Sequence, residues 1–177
     1  NTGASNSSTG ILLETLSDNN TLTNNTGTSN SSYGIYLSNS SNNNLTNNKG
    51  ISNSSTGILL ETLSDNNTLT NNNGTSINAG GYGNGIDITS YSSNNVLINN
   101  TGISSSLYGI HLFQSSNNTL TNNTGKGHYQ AIFVTGFSNN NTLTNNTGIS
   151  EINAGLSVED SLNNTILFPA AIGFNAY

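Results

Sequence analysis

Gly10-Ile11-Leu12-Leu13, then Thr21-Leu22-Thr23-Asn24-Asn25, then Gly27-Thr28-Ser29: this run decides the fold, because each of its parts returns on one beat. Gly-Ile-x-Leu recurs at Gly34-Ile35-Tyr36-Leu37, Gly57-Ile58-Leu59-Leu60, Gly85-Ile86-Asp87-Ile88 and Gly109-Ile110-His111-Leu112. Weaker copies stand at Ala131-Ile132-Phe133-Val134 and Gly155-Leu156-Ser157-Val158, and the first apolar residues lie 24, 23, 28, 24, 22 and 24 apart. Thr-Leu-Thr-Asn-Asn keeps the same beat, centred on Leu22, Leu45, Leu69, Leu97, Leu120, Leu143 and Ile166. Gly-Thr/Ile-Ser follows most Asn pairs. Residues 5–25 and 52–72 are identical, two periods apart, which marks a recent duplication.

Ile11 and Leu13 flank Leu12 with a period of two, so they point to one face of an extended segment. Three such segments with Asn, Gly and Ser corners fill ~23 residues and leave no room for a helix. One turn buries too few aliphatics to stand alone. Stacked turns, each strand pairing with its copy at ~4.8 Å, bury a continuous core. The expectation is an all-β, single-stranded parallel β-helix over 1–166, about seven turns with three short strands each, roughly 34 Å long. Three internal ladders follow, starting at Ile11, Leu13 and Leu22. One Asn of each Asn-Asn corner is expected to stack inward, amide upon amide. Residues 167–177, apolar and out of the repeat, form a C-terminal capping or assembly segment.

Composition fits a thin solenoid. Apolar residues are 31% of the 177, against roughly 45–50% in ordinary domains. There is no Arg, only Lys49 and Lys126, and the net charge is −6, which argues against a nucleic-acid partner. No apolar run approaches the ~20 residues of a membrane span, so no membrane insertion is expected. Zero Cys excludes disulfide and thiolate-metal frameworks.

Runs such as Asn-Asn-Thr-Leu-Thr-Asn-Asn-Thr-Gly and Tyr-Gly-Ile-Tyr-Leu-Ser-Asn-Ser-Ser-Asn resemble NosD-type repeats over residues ~5–166. Those repeats belong to the right-handed parallel β-helix superfamily that also holds pectate lyases. The resemblance supplies the right hand of the coil. Asn/Ser/Thr-rich versions resemble cell-surface proteins of methanogenic archaea, which implies an extracellular setting and a sheath or fibre role.

Catalytic and metal sites are expected to be absent, with no cofactor. Glu14 and Glu61 are equivalent but two turns apart, about 9.6 Å, at the upper edge for an inverting carboxylate pair, and duplication explains the match. Asp18 and Asp65 read as turn formers, and Glu159-Asp160 as a solvated corner. Gly80-Gly81-Tyr82-Gly83-Asn84-Gly85 with Asp87 occurs once, too little for the 6–8 oxygens of a Ca²⁺ site. The 28-residue turn is expected to bulge at Ile77–Gly85 as Gly-rich filler. His111 reads as a surface histidine on the outer position of its strand, and Lys126 and His128 as part of an irregular stretch on another side. These two His, without Cys or Met, speak against any copper role carried by the NosD name.

Function is therefore expected on the outside. Of fifteen Asn-x-Ser/Thr sequons, Asn6, Asn30, Asn39, Asn53, Asn117 and Asn163 are candidate glycan acceptors. Leu12, Tyr36, Leu59 and Phe133, on outer strand positions, are lateral-interface candidates, a row that Leu16, Leu63, Tyr91 and Phe137 extend. Phe168, Ile172, Phe174 and Tyr177 are end-interface candidates. The chain begins mid-turn, as a mature product or a fragment would. The expected function is an extracellular, non-enzymatic structural protein that assembles with itself, laterally or end to end, into a fibre, sheath or surface layer. The alternatives are a carbohydrate- or ice-binding module, the latter from the outward Thr ranks, or a degenerate polysaccharide-acting enzyme.

Overall fold

The computed structural model of the chain describes residues 1–77, 80–168 and 170–173. The described residues contain twenty-two short strands and no helix. The strands, β1–β22 in chain order, build three wholly parallel sheets. Sheet A runs from β1 (Thr2–Ser5) to β22 (Ala170–Gly173), and sheet C from β3 (Thr21–Thr23) to β21 (Thr165–Leu167). Sheet B comprises β2 (Ile11–Glu14), β5 (Ile35–Ser38), β8 (Ile58–Glu61), β11 (Ile86–Ile88), β14 (Tyr108–Phe113), β17 (Gln130–Thr135) and β20 (Leu156–Val158). Every third strand pairs, so the chain coils through seven turns with three strands each, as the repeat predicts.

Register is like upon like. Ile35, Ile58, Ile86, Ile110 and Ile132 stack in one buried ladder, Leu37, Leu60, Ile88, Leu112 and Val134 in the second, and Leu45, Leu69, Leu97, Leu120 and Leu143 in the third. Burying each such side chain contributes roughly 1.5–3 kcal/mol. The corner between sheets A and B is tighter than the aliphatics alone would allow. A Cβ on Gly27 would stand 2.2 Å from the Gly34 carbonyl oxygen, and one on Gly34 would stand 2.3 Å from the Ile51 nitrogen. These glycines are there for close backbone approach, which is why Gly recurs in two of the three repeat elements.

The corner asparagines work as expected, and twice over. Asn24, Asn47, Asn71, Asn99, Asn122 and Asn145 adopt φ of 53–56°, the left-handed region that Asn tolerates. Their successors point inward. Asn72 Oδ1 accepts from the Asn48 backbone N–H at 2.8 Å and from Asn48 Nδ2 at 3.0 Å, and Asn72 Nδ2 donates to Asn100 Oδ1 at 3.0 Å and to the Leu45 carbonyl at 2.8 Å. A second ladder runs through Asn20, Asn43, Asn67, Asn95, Asn118, Asn141 and Asn164, each backbone N–H donating to the amide oxygen one turn on. Asp18 and Asp65 are turn formers: each carboxylate accepts a backbone N–H of the next turn at 2.6 Å, from Ser41 and Ser93.

At the C-terminal side the ladder continues past residue 166. Leu167 ends β21, and Ala170–Gly173 pairs with the sheet A strand Thr147–Ser150. Part of the apolar segment 167–177 thus supplies a rung.

Candidate functional site

Outer positions of sheet B do not repeat. In register they read Leu12, Tyr36, Leu59, Asp87, His111, Phe133 and Ser157. This breaks an otherwise monotonous lattice, and these side chains interact with one another.

Two linked clusters form. In the first, the Tyr36 hydroxyl donates to Glu61 Oε1, and the Tyr33 ring packs on Tyr36 with centroids 4.8 Å apart. Burial, with the Glu61 hydrogen bond next, pushes the Tyr36 phenol up to about 12. Burial also raises Tyr33, helped by the negative charges of Glu61 and Asp87. In the second, His111 Nδ1 stands 2.9 Å from Asp87 Oδ1, with both side chains largely buried. An ionised carboxylate only accepts, so the hydrogen bond runs from Nδ1–H to Asp87. Asn84 Nδ2 donates to the other carboxylate oxygen of Asp87 at 2.8 Å. Tyr108 covers the imidazole at 4.7 Å and meets Phe133 at 4.9 Å, and the Phe133 ring stacks on His111 at 5.7 Å. Burial raises the Tyr108 phenol, with smaller contributions from Tyr129, Glu159 and Asp87.

Several expectations change here. His111 is a partnered member of an aromatic–acid cluster, not a free surface histidine. Leu59 and Phe133 are not open to a lateral partner: Leu59, between Tyr36 and Asp87 in the ladder, is 3% exposed, and Phe133, under Tyr108 and beside His111, is 8% exposed. Leu12 remains open at 42%, and Tyr36 is half-buried. The 28-residue turn is more than filler. Gly83 packs so closely that a Cβ would lie 2.1 Å from the Ser55 carbonyl oxygen, and this seats Asn84 beside Asp87. Asn84, Tyr33 and Tyr108 lie next to the Gly-Ile-x-Leu elements; their aromatic and amide character was the available signal.

Other candidates lie apart. Asn6, Asn30, Asn53, Asn117 and Asn163 are exposed and Asn39 is half-buried. Asn30 Nδ2 donates to Asn6 Oδ1 at 2.9 Å and Asn53 Nδ2 to Asn30 Oδ1 at 2.7 Å, so these three form a surface stack. Phe168 is exposed and Ile172 lies in β22 opposite Ile149. Phe174 and Tyr177 lie outside the described residues. Lys126 belongs to a regular strand, Thr124–Gly127, rather than an irregular stretch. Beside it a shallow cleft of about 480 Å³ carries an exposed His128–Glu151 pair at 2.7 Å.

Three parallel sheets wound from ~23-residue turns define a parallel β-helix, and the chain belongs to the right-handed β-helix family: the family described as "Right handed beta helix region" matches residues 1–101. Its later turns, residues 76–168, match the family described as "Periplasmic copper-binding protein (NosD)". Among solved structures, a mutant of the periplasmic alginate epimerase AlgG shares the fold, with a TM-score of 0.61 and 21% identity. The similarity covers 80% of this chain and 34% of that one, so the chain spans about a third of the epimerase's length. No curated protein matches the chain significantly.

Copper asks for imidazole or soft sulfur donors. This chain has neither Cys nor Met, and its two His stand on different sheets, one on sheet B and one beside sheet A. Among the described residues no three His, Cys, Asp or Glu side chains converge. The residues present do not fit a copper site.

Proposed function

We propose that the chain is a secreted or cell-surface β-solenoid module that binds a neutral polysaccharide on the outer face of sheet B. One observation carries this: on that face the rings of Tyr108 and Tyr129, with a second pair at Tyr33 and Tyr36, stand beside polar groups already held by neighbours. A sugar offers C–H faces to rings and hydroxyls to carboxylates and imidazole. Groups fixed before binding lose little freedom on binding.

Charge narrows the ligand. Glu61, Asp87 and Glu159 border the face, and the whole chain carries −6 with no Arg. An acidic polysaccharide such as alginate would meet like charge, whereas a hydroxyl-rich neutral one would not. The periplasmic names of the NosD family and of AlgG support a setting outside the cytoplasm.

The test is calorimetric titration with cellulose-, mannan- and xylan-derived oligosaccharides and with alginate. Binding to a neutral oligosaccharide is expected, with Tyr108→Ala weakening it about tenfold, the scale of one lost aromatic contact. Preference for alginate, or binding to none of the four, overturns the proposal.

Sheet C favours a second reading, lateral self-assembly into a fibre, sheath or surface layer. Its outer ranks, Thr21, Asn44, Thr68, Val96, Thr119 and Thr142 in one and Thr23, Thr46, Thr70, Ile98, Thr121 and Thr144 in the other, are uncharged and in register. Electron microscopy of purified protein tests it: filaments or sheets support assembly, and dispersed rods count against it.

A further inference from the structure

At the corner that follows sheet B, we infer that Tyr91, Gln114 and Phe137 form a terminal subsite that holds one sugar ring of the bound chain between two aromatic faces. This rests on the polysaccharide reading above and adds to it the direction in which the chain lies.

The corner is itself a ladder. Leu16, Asn39, Leu63, Tyr91, Gln114, Phe137 and Asp160 occupy equivalent places, linked for instance by Leu16 N–H to Asn39 O at 2.8 Å, Tyr91 N–H to Gln114 O at 2.9 Å and Phe137 N–H to Asp160 O at 2.8 Å. All seven have φ between 48° and 66°. Asn and Asp accept that conformation readily; Tyr and Phe do not. The strain at Tyr91 and Phe137 is not offset by burial, since they are 63% and 73% exposed. Leu16 and Leu63 share both the conformation and the exposure, so the corner imposes the backbone at every rung; what Tyr91 and Phe137 add is an aromatic ring held in solvent beside a cleft.

Between the two rings lies a cleft of about 230 Å³, with Gln114, Ser93, Ser116 and Gly136 completing it. That is below the roughly 300–1,000 Å³ of pockets that hold drug-sized ligands, so it fits a single ring. The two aromatic residues stand two rungs apart, about 9.6 Å. Two van der Waals contacts of about 3.5–4.0 Å, one on each face of a guest ring, fit within that spacing. The Gln114 amide offers uncharged donors and an acceptor to sugar hydroxyls, while the Ser93 and Ser116 hydroxyls, already bonded to the corner backbone, each keep one acceptor site.

Phe113 joins this cleft to the face of sheet B. Its ring stacks near His111 at 6.0 Å. On its other side it covers Gly136, where a Cβ would lie 2.4 Å from Phe113 Cε2. A continuous aromatic track therefore runs from Tyr129 through Tyr108, His111 and Phe113 to the cleft. A polysaccharide on it lies along the strands, across the solenoid axis, with a ring at the end of the track in the cleft.

The test compares wild type with Tyr91→Asn and Phe137→Asn in calorimetric titrations with cellohexaose, β-1,4-mannohexaose and β-1,4-xylohexaose. Asn suits the left-handed corner, so both variants keep the fold, and Leu16→Asn at the same corner is the control. The expected result is that at least one hexasaccharide binds wild type and the Leu16→Asn control equally, and each aromatic variant about tenfold more weakly. If a hexasaccharide binds all four proteins alike, the subsite is overturned and the polysaccharide reading stands. If none binds wild type, both fall. A wild-type dimer in sedimentation that Phe137→Asn converts to monomer would give the cleft to a second copy and overturn the subsite.

Discussion

Residues 5–25 and 52–72 are the same twenty-one amino acids placed twice in one molecule. Their backbones agree: Thr15 and Leu16 have φ of 53° and 64°, Thr62 and Leu63 have 54° and 59°, and Asn24 and Asn71 both have 56°. Their surroundings do not. Within sheet B, β2 pairs with β5 alone, whereas β8 pairs with β5 and β11. Leu12 is open and Leu59 is buried; Glu14 is exposed and Glu61 accepts from Tyr36. Local sequence sets the conformation of a rung, and the neighbouring rungs set its chemistry.

The sharpest way to break that comparison is at the end of the repeat. Asn72→Ala removes the acceptor of Asn48 N–H and leaves the Asn100 amide oxygen and the Leu45 carbonyl each short of a donor. Buried groups left unpaired cost roughly 1–3 kcal/mol each, so a loss of about 2–5 kcal/mol is expected in denaturant titration. Asn25→Ala, the same change in the other copy, removes one donor, Nδ2, from Asn48 Oδ1, which keeps the backbone N–H of residue 25, and takes no acceptor from a lower rung; about 1 kcal/mol is expected. Equal losses would mean that the ladder acts only within a rung.

Next comes the outer leucine. Leu59→Ala is expected to lower stability by about 2–3 kcal/mol, within the range for buried leucines, and Leu12→Ala by less than about 1 kcal/mol. Thermal unfolding of the two variants reads the difference directly.

The smallest effect is electrostatic. Glu61→Gln removes the charge that holds the Tyr36 proton, so the tyrosinate midpoint of about 12 is expected to fall while burial keeps it above the ordinary 10. Glu14→Gln leaves it unmoved. Because the folded-state value is raised, the Tyr36 contribution to stability is fully present below pH 10 and is lost as pH climbs from 10 toward 12. Absorbance titration of the phenols, with unfolding midpoints across that window, checks both the shift and its sign.

What the sequence made legible follows from the same distinction. Ladders of Ile35, Leu37 and Leu45 could be read because each rung repeats its own requirement. The inward stack of Asn72 could be read because Asn pairs mark left-handed corners. The second stack through Asn67 was equally periodic and went unread, being set among Ser and Asp that read as turn. His111 with Asp87, and Tyr36 with Glu61, could not be read as pairs from spacing alone: each joins residues 24 or 25 apart whose meeting depends on the fold's register. Leu59 and Phe133 read as exposed because the alternation of a strand says which face a side chain takes, not what larger neighbours lay over it.

The amide stack at the Asn pairs has one further consequence. Each inner rung presents the same donors to the rung above and the same acceptors to the rung below, so the lattice has no preferred number of layers. A 47-residue block, two coils long, could be spliced in at such a seam without leaving a bond unmet. Gene copying by unequal crossover can thus lengthen the shaft at little structural risk, while the non-repeating outer positions of each new layer remain free to diverge.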